Sequence, residues 1–281
     1  MTLARTGDLV RAAASRDRAV AAFNVISLEH AEAIVAGAES AGVPVILQVS
    51  QNAVRFHGGN PRPLLMACRE VAVAAGVDVS LHLDHVDDAE LISLAIEIAA
   101  ETGLSSIMVD ASTLDYAANV ATTADATRRA HAASLWVEAE LGEVGGKDGA
   151  HAPGVRTDPD EAAAFVAATG VDALAVAVGS SHAMTERSAS LDHELVARLA
   201  AAVGVPLVLH GSSGVPDDDL SAAVAAGIRK VNVGTALNVA GTAATRAALA
   251  AAPTAVDPRL VAVASRTAMA GVVAHLGGLV A

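Results

Sequence analysis

Eight times along this chain a short, almost wholly apolar run gives way to a segment of helical periodicity, usually closed by a glycine before the next apolar run begins. The apolar runs lie at 19–25, 43–50, 77–83, 104–110, 135–141, 171–178, 205–210 and 228–233. Between them, 28–41, 61–75, 87–102, 115–133, 158–169, 191–203 and 216–226 place apolar residues at helical spacing. A leading helix over 6–16 and two trailing helices over 236–252 and 258–275 complete the pattern. Strands that are apolar on both faces suit a parallel sheet covered by helices. Eight such units in 281 residues predict a (β/α)8 barrel, a fold of about 250 residues. A single domain over 1–281 with extra N- and C-terminal helices follows, since no linker or composition break interrupts the chain. An open doubly wound sheet shares the alternation, but eight regular units are what a closed barrel uses.

The joints between units carry their own signals. Thr157-Asp158-Pro159-Asp160-Glu161 and Pro216-Asp217-Asp218-Asp219 put proline and acids into a first helical turn, where free amides and the helix dipole favour negative charge. Gly42, Gly76, Gly103, Gly170, Gly204 and Gly227 stand where left-handed C-terminal caps are expected.

Charge narrows the partners. The net charge is −13, with no basic stripe, which excludes nucleic acid as an expected partner. An anionic substrate would have to be met locally, by backbone amides and a few cations. One cysteine, Cys68, excludes an internal disulfide and suits a reducing compartment; its place in a helical pattern reads as buried filler rather than nucleophile. No leader pattern opens the chain, and no uninterrupted apolar run reaches the roughly 18 residues of a membrane span. The expectation is a cytoplasmic protein without a membrane segment.

Active sites of such barrels lie at the C-terminal strand ends. Here those ends read Asn24; Ser50-Gln51-Asn52; Asp84-His85; Asp110 with Ser112; Glu138 and Glu140; Ser180-Ser181-His182; His210 to Gly214; and Asn232 to Thr235. Polar residues gather there and hardly anywhere else on the strands. His85, His182 and His210, from the third, sixth and seventh strands, form a set of three imidazoles, an arrangement that binds catalytic zinc and leaves a position for water or a substrate oxygen. Asp84 is placed for general acid/base work, or alternatively for orienting an imidazole. Asp110, Glu138 and Glu140 exceed what one reaction needs, so some orient ligands or bind a second cation. His82, two residues before Asp84 on one strand face, fits a hydrogen-bonded position in the barrel interior. The Gly211-Ser212-Ser213-Gly214 and Asn232-Val233-Gly234-Thr235 turns both run into helices, as a phosphate site requires. A metal that polarises a carbonyl, an acid/base and a phosphate cradle point to enediolate or aldol chemistry on a phosphorylated ketose.

The same residues resemble a known family. Ala22-Phe23-Asn24-Val25, His82-Leu83-Asp84-His85, Ile107 to Ser112, Val137 to Gly142 with Gly145-Gly146, Thr157-Asp158-Pro159, Val176 to His182, Leu209 to Gly214, Lys230 to Thr235 and Asp257-Pro258-Arg259 are similar, in order, to the motifs of class II, metal-dependent fructose- and tagatose-bisphosphate aldolases. The resemblance implies zinc on His85, His182 and His210, and proton exchange between Asp84 and the C4 hydroxyl of the ketose. It implies that Asn232 holds substrate near the reacting carbons, that Gly211, Ser213 and Thr235 bind the phosphate of the dihydroxyacetone-phosphate half, and that Asn24 and Ser50 lie close to substrate. Asp110 and Glu140 match family acids near the metal, where a second, monovalent cation would sit. Arg259 would reach the far phosphate from a neighbouring subunit, implying a homodimer or homotetramer. Two departures stand out. The 145–154 loop holds Asp148 as its only acid, leaving Asp148 or His151 as the carrier of the second proton. Gly234 replaces a frequent aspartate, and Ala183 a glycine, which leaves the aldehyde half open. An aldolase of the inositol-breakdown type is the first alternative. A metal-dependent barrel hydrolase and a non-catalytic sugar-phosphate-binding barrel are the others.

Overall fold

The computed structural model describes residues 3–141 and 156–281. Its strands are β1 (Val20–Asn24), β2 (Val45–Ser50), β3 (Val79–Val86), β4 (Leu104–Val109), β5 (Trp136–Glu140), β6 (Ala173–Ala175), β7 (Leu207–Leu209) and β8 (Ile228–Val233). The helices in the first half are α1 (Thr6–Ala14), α2 (Leu28–Ala41), α3 (Gln51–Phe56), α4 (Arg62–Ala74), α5 (Ala89–Thr102) and α6 (Tyr116–Ala132). Those in the second are α7 (Pro159–Thr169), α8 (His193–Ala202), α9 (Asp217–Ala226), α10 (Thr235–Ala251) and α11 (Arg259–Val280). The strands close in chain order, β8 pairing back to β1, with every pair parallel. The fold is the (β/α)8 barrel that the eightfold alternation predicts.

Local differences from the sequence pattern have identifiable causes. Gly42, Gly103 and Gly170 close their helices in the left-handed conformation, but Gly76 and Gly204 do not. α4 and α8 end earlier, on extended Ala75 and Val203. Both residues are buried, so packing of the exit residue sets the turn before the glycine is reached. Gln51 and Asn52, polar strand-end residues in the sequence pattern, instead open α3, whose start Ser50 caps by accepting the Ala53 amide on Oγ at 3.2 Å. β6 and β7 are shorter than their apolar runs, since the runs report burial and the ladder covers only part of it. α11 runs on through Gly277-Gly278 to bury Leu276 and Val280, and the Val280 carbonyl accepts the Ala19 amide at 2.8 Å. By length and composition α11 could cross a membrane. In this fold it packs along α2 and α10.

The barrel interior has two floors. The lower one is apolar: Leu9 and Val10 of α1 plug it against Val20, Ala22, Ile46, Trp136, Ala173, Ala175 and Val208. Its few polar atoms are neutral and paired, with Thr6 Oγ1 3.0 Å from both Ser80 Oγ and Ser105 Oγ. The upper floor is polar and contains Gln48, His82, Asp84, Glu138, Glu140, His210, Lys230 and Asn232, all buried.

Candidate active site

The mouth of the barrel gathers the polar strand ends through a local irregularity. Consecutive strand residues point to opposite faces, so Asp84 and His85 could not both face the mouth from a regular β3. The β3–β4 register shifts between Leu83 and Val86, and His85 takes φ +50°. A bulge with a left-handed residue turns both side chains to the same side, at a backbone cost of order 1–3 kcal/mol. His182 is followed by Ala183, also left-handed at φ +59°.

The His85, His182 and His210 rings meet at centroid distances of 5.1 Å (85–182), 4.8 Å (85–210) and 5.6 Å (182–210). One nitrogen from each lies within 4.8 Å of the others. Two of the rings are aimed by carboxylates. His85 Nδ1 lies 2.8 Å from Asp110 Oδ2, and Asp110 Oδ1 accepts the Ser112 hydroxyl at 2.6 Å. His210 Nε2 lies 2.9 Å from Glu138 Oε1, which turns Nδ1 toward the other imidazoles. His210 Nδ1 has no hydrogen bond, although Glu140 Oε2 is 3.2 Å away. Such imidazole–carboxylate pairs are what metal-ligating histidines show.

Charge also fits a cation. Asp84, Asp110, Glu138 and Glu140 are buried together, and Lys230 is the one buried ammonium among the described residues. Burial alone would raise the Asp84 carboxyl, but His85, His82 and His210 hold it well below the usual carboxylate range. Burial likewise opposes ionising Glu138, yet Lys230 and His210 bring it to about 2. His210 is opposed by burial and lifted to about 9 by its hydrogen bond to Glu138 and by the Glu140 carboxylate beside it. These acids attract positive charge to the imidazoles, and a divalent ion would take the place of that proton. The donor set of three imidazole nitrogens fits zinc. His82, by contrast, is kept neutral by burial and by Lys230; its Nδ1 lies 2.8 Å from Ser106 Oγ and its Nε2 3.7 Å from Asp84 Oδ1.

Beside the imidazoles opens a cavity of about 160 Å³. Asp84, His85 and His182 line one side, and Asn24 and Asn232 another. Gly211, Ser213, Gly234 and Thr235 also line it, together with Gln48, Ala183 and Asn238. Gly211 stands at φ +66°, where a Cβ would sit 2.5 Å from the Ser181 carbonyl oxygen, so this turn admits only glycine. Ser213 Oγ accepts the Ala236 amide at 3.1 Å, tying the turn to the first residues of α10. The N-terminus of a 17-residue helix thus opens on the cavity, a ready anion site.

Not every predicted residue lines this cavity. Ser50 caps α3, and Arg259 forms a surface pair with Asp257, its side chain 86% exposed. Asp148 and His151 lie outside the described residues. Asp110 and Glu140 sit on His85 and His210 respectively. Cys68 is buried in α4 with its thiol pushed up to about 12 by burial, consistent with filler. Three cavity or support residues escaped the sequence reading: Gln48, Lys230 and Asn238. A lone amide at Gln48 in the second apolar run, and a lysine on the buried side of the eighth strand next to Arg229, were available signals. For Asn238 only the rotation of α10 decides that it faces the cavity.

Known proteins show the same chain plan. The family description "Fructose-bisphosphate aldolase class-II" fits residues 4–280. A "Fructose-bisphosphate aldolase" of Geobacillus stearothermophilus is 37% identical over 266 residues, covering 92% of this chain and 90% of its own. A "6-phospho-5-dehydro-2-deoxy-D-gluconate aldolase" of Shouchella clausii is 38% identical over 247 residues, covering 86% and 82%. The crystal structure of the YdjI aldolase from Escherichia coli K12 superposes with a TM-score of 0.85 at 32% identity, over 99% of this chain and 97% of that one.

Proposed function

The chain belongs to the class-II fructose-bisphosphate aldolase family, whose members are carbon–carbon lyases, and from that premise we propose a zinc-dependent aldolase. It splits a phosphorylated ketose of the fructose- or tagatose-bisphosphate kind into dihydroxyacetone phosphate and an aldehyde. The observation that carries this reading is the meeting of three imidazole nitrogens within 4.8 Å of one another, with the Asp84 carboxylate 3.8 Å from His85 Nε2.

With a divalent ion on His85, His182 and His210, the site gains a Lewis acid for the ketose carbonyl. Asp84, its Oδ2 held by Gln48 at 3.0 Å, takes the proton of the C4 hydroxyl. The C3–C4 bond breaks, C4 leaves as the aldehyde carbon, and the electron pair stays on the three-carbon half. Asn232 and Asn24 offer amide hydrogens to substrate oxygens. Gly211, Ser213, Thr235 and the start of α10 receive the phosphate. Asp148 or His151 gives a second proton to C3, and Asp84 releases the first to solvent. We assign Asp110 to orienting His85, Glu140 to the negative surroundings of the metal-facing His210 Nδ1 rather than to a second, monovalent cation, and Ser50 to holding α3 beside the site. Arg259 serves a neighbouring protomer of a homodimer or homotetramer in the cytoplasm. Arg259→Ala should raise KM for bisphosphates and spare monophosphates; equal effects on both would remove that role.

The test is release of dihydroxyacetone phosphate from fructose and tagatose 1,6-bisphosphates, before and after chelation and zinc restoration. Zinc-restored release from either sugar supports the reading and shows the C4 preference. No release from either, with zinc bound, rejects both sugars. A second reading, cleavage of a phosphorylated keto acid, is favoured by the Shouchella clausii relative at 38% identity, and the same assay on that relative's named substrate decides it.

A further inference from the structure

Beneath the cavity one side chain makes contacts that the proposed reaction does not use. Lys230 is fully buried on β8, and its Nζ lies 2.7 Å from Glu138 Oε2, 2.8 Å from Asn232 Oδ1 and 3.3 Å from Gln48 Oε1. An ammonium only donates hydrogen bonds. The amide atoms facing it must therefore be oxygens, and each amide must present its NH2 the other way. For Gln48 that places Nε2 at 2.8 Å from Asn24 Oδ1 and 3.0 Å from Asp84 Oδ2. Asn24, accepting through its oxygen, in turn presents its own NH2 outward. Asn232 Nδ2 is buried without a hydrogen bond, and both asparagines line the cavity.

We propose that Lys230 is a positioning residue that sets the polarity of three amides. Through Asn232 directly, and through Gln48 to Asn24 and Asp84, it makes this cavity wall a donor surface for substrate oxygens and fixes the Asp84 carboxylate. Through this one nitrogen side-chain hydrogen bonds link β8 to β5 and β2, and one residue further, through Gln48, to Asn24 of β1 and Asp84 of β3. Glu138 completes the arrangement by neutralising Lys230 on one oxygen and receiving His210 on the other. The proposal rests on the aldolase reading for what the wall binds, but the amide orientation stands apart from it.

Lys230→Met alone would strand Glu138, so the test variant is Lys230→Met with Glu138→Gln, which removes both charges together. The expected result is a zinc-loaded, folded enzyme whose kcat falls roughly 10²-fold, as misplacement of reacting groups does, with KM little changed. A folded, zinc-loaded double variant with wild-type kcat overturns the proposal. If the double variant does not fold, Gln48→Met severs only the link to Asp84 and Asn24. There kcat should fall roughly tenfold or more, while exchange of the C3 proton of dihydroxyacetone phosphate with solvent falls less, because that step does not need Asp84. Equal loss in both, or loss in neither, overturns the proposal. Neutron diffraction of the zinc-loaded wild type reads the amides independently of turnover. Oxygens of Asn232 and Gln48 toward Lys230 are expected, and an NH2 of either facing it overturns the assignment. Failure of the aldolase reading appears separately, as a wild type without zinc-restored cleavage.

Discussion

The two floors of the barrel interior lie within one closed sheet and differ in what their side chains leave unfinished. The lower floor is apolar, sealed by α1, and its Thr6, Ser80 and Ser105 hydroxyls are neutral and paired. On the upper floor ionisable groups crowd together, and His82 Nε2, Asp84 Oδ1, His210 Nδ1 and Asn232 Nδ2 are buried with no hydrogen bond. Buried polar atoms without partners are costly, and a well-finished core does not keep them. The comparison teaches that the lower floor holds the barrel closed, while the upper floor is held ready for atoms that come from outside.

That division can be broken by substitution. The largest expected effect is on the upper floor: His210→Ala should lose bound metal and, with it, nearly all turnover, and metal content measured in the purified variant checks it. Full zinc occupancy there would refute the ligand assignment. Asp84→Ala should keep its zinc and lower turnover by roughly 10²–10⁴-fold, read as kcat at saturating ketose; unchanged turnover would remove Asp84 from the mechanism. On the lower floor the sign of the result changes. Ile46→Ala should lower unfolding free energy by about 2–5 kcal/mol, measured by denaturant titration, with kcat and zinc content intact at temperatures where the variant is folded. A large kcat loss in folded Ile46→Ala would mean the floors are not separable. The smallest effect belongs to the loop beside the second imidazole. Ala183 at φ +59° is strained, so Ala183→Gly should stabilise by about 1 kcal/mol, and a lower melting temperature would show that the methyl group is needed for packing.

Much of the site was legible because chemistry at strand ends is written in short, separate words. His85, His182 and His210, and the glycine-serine turn after His210, stand out against apolar strands. The supports were harder to see. Gln48 is a single amide in an apolar run and Lys230 one of three polar residues in β8, and nothing in either strand says that they touch each other across the barrel. Ser50 reads as a strand-end substrate contact but spends its hydroxyl on capping α3. Gly76 and Gly204 look like caps, yet the buried residues before them take the turn instead.

By itself the sequence determined the eightfold alternation, the barrel it closes into, and which residue types reach the mouth, because periodicity and turn chemistry are local properties of the chain. Tertiary structure alone decided that Asp84 and His85 face the same way, through a bulge set against β4. It also decided which nitrogen of His85 and of His210 points inward, through Asp110 and Glu138, and which way three amides turn around one ammonium. Those choices are made by atoms from strands far apart in sequence, and their energies exist only after the barrel has closed.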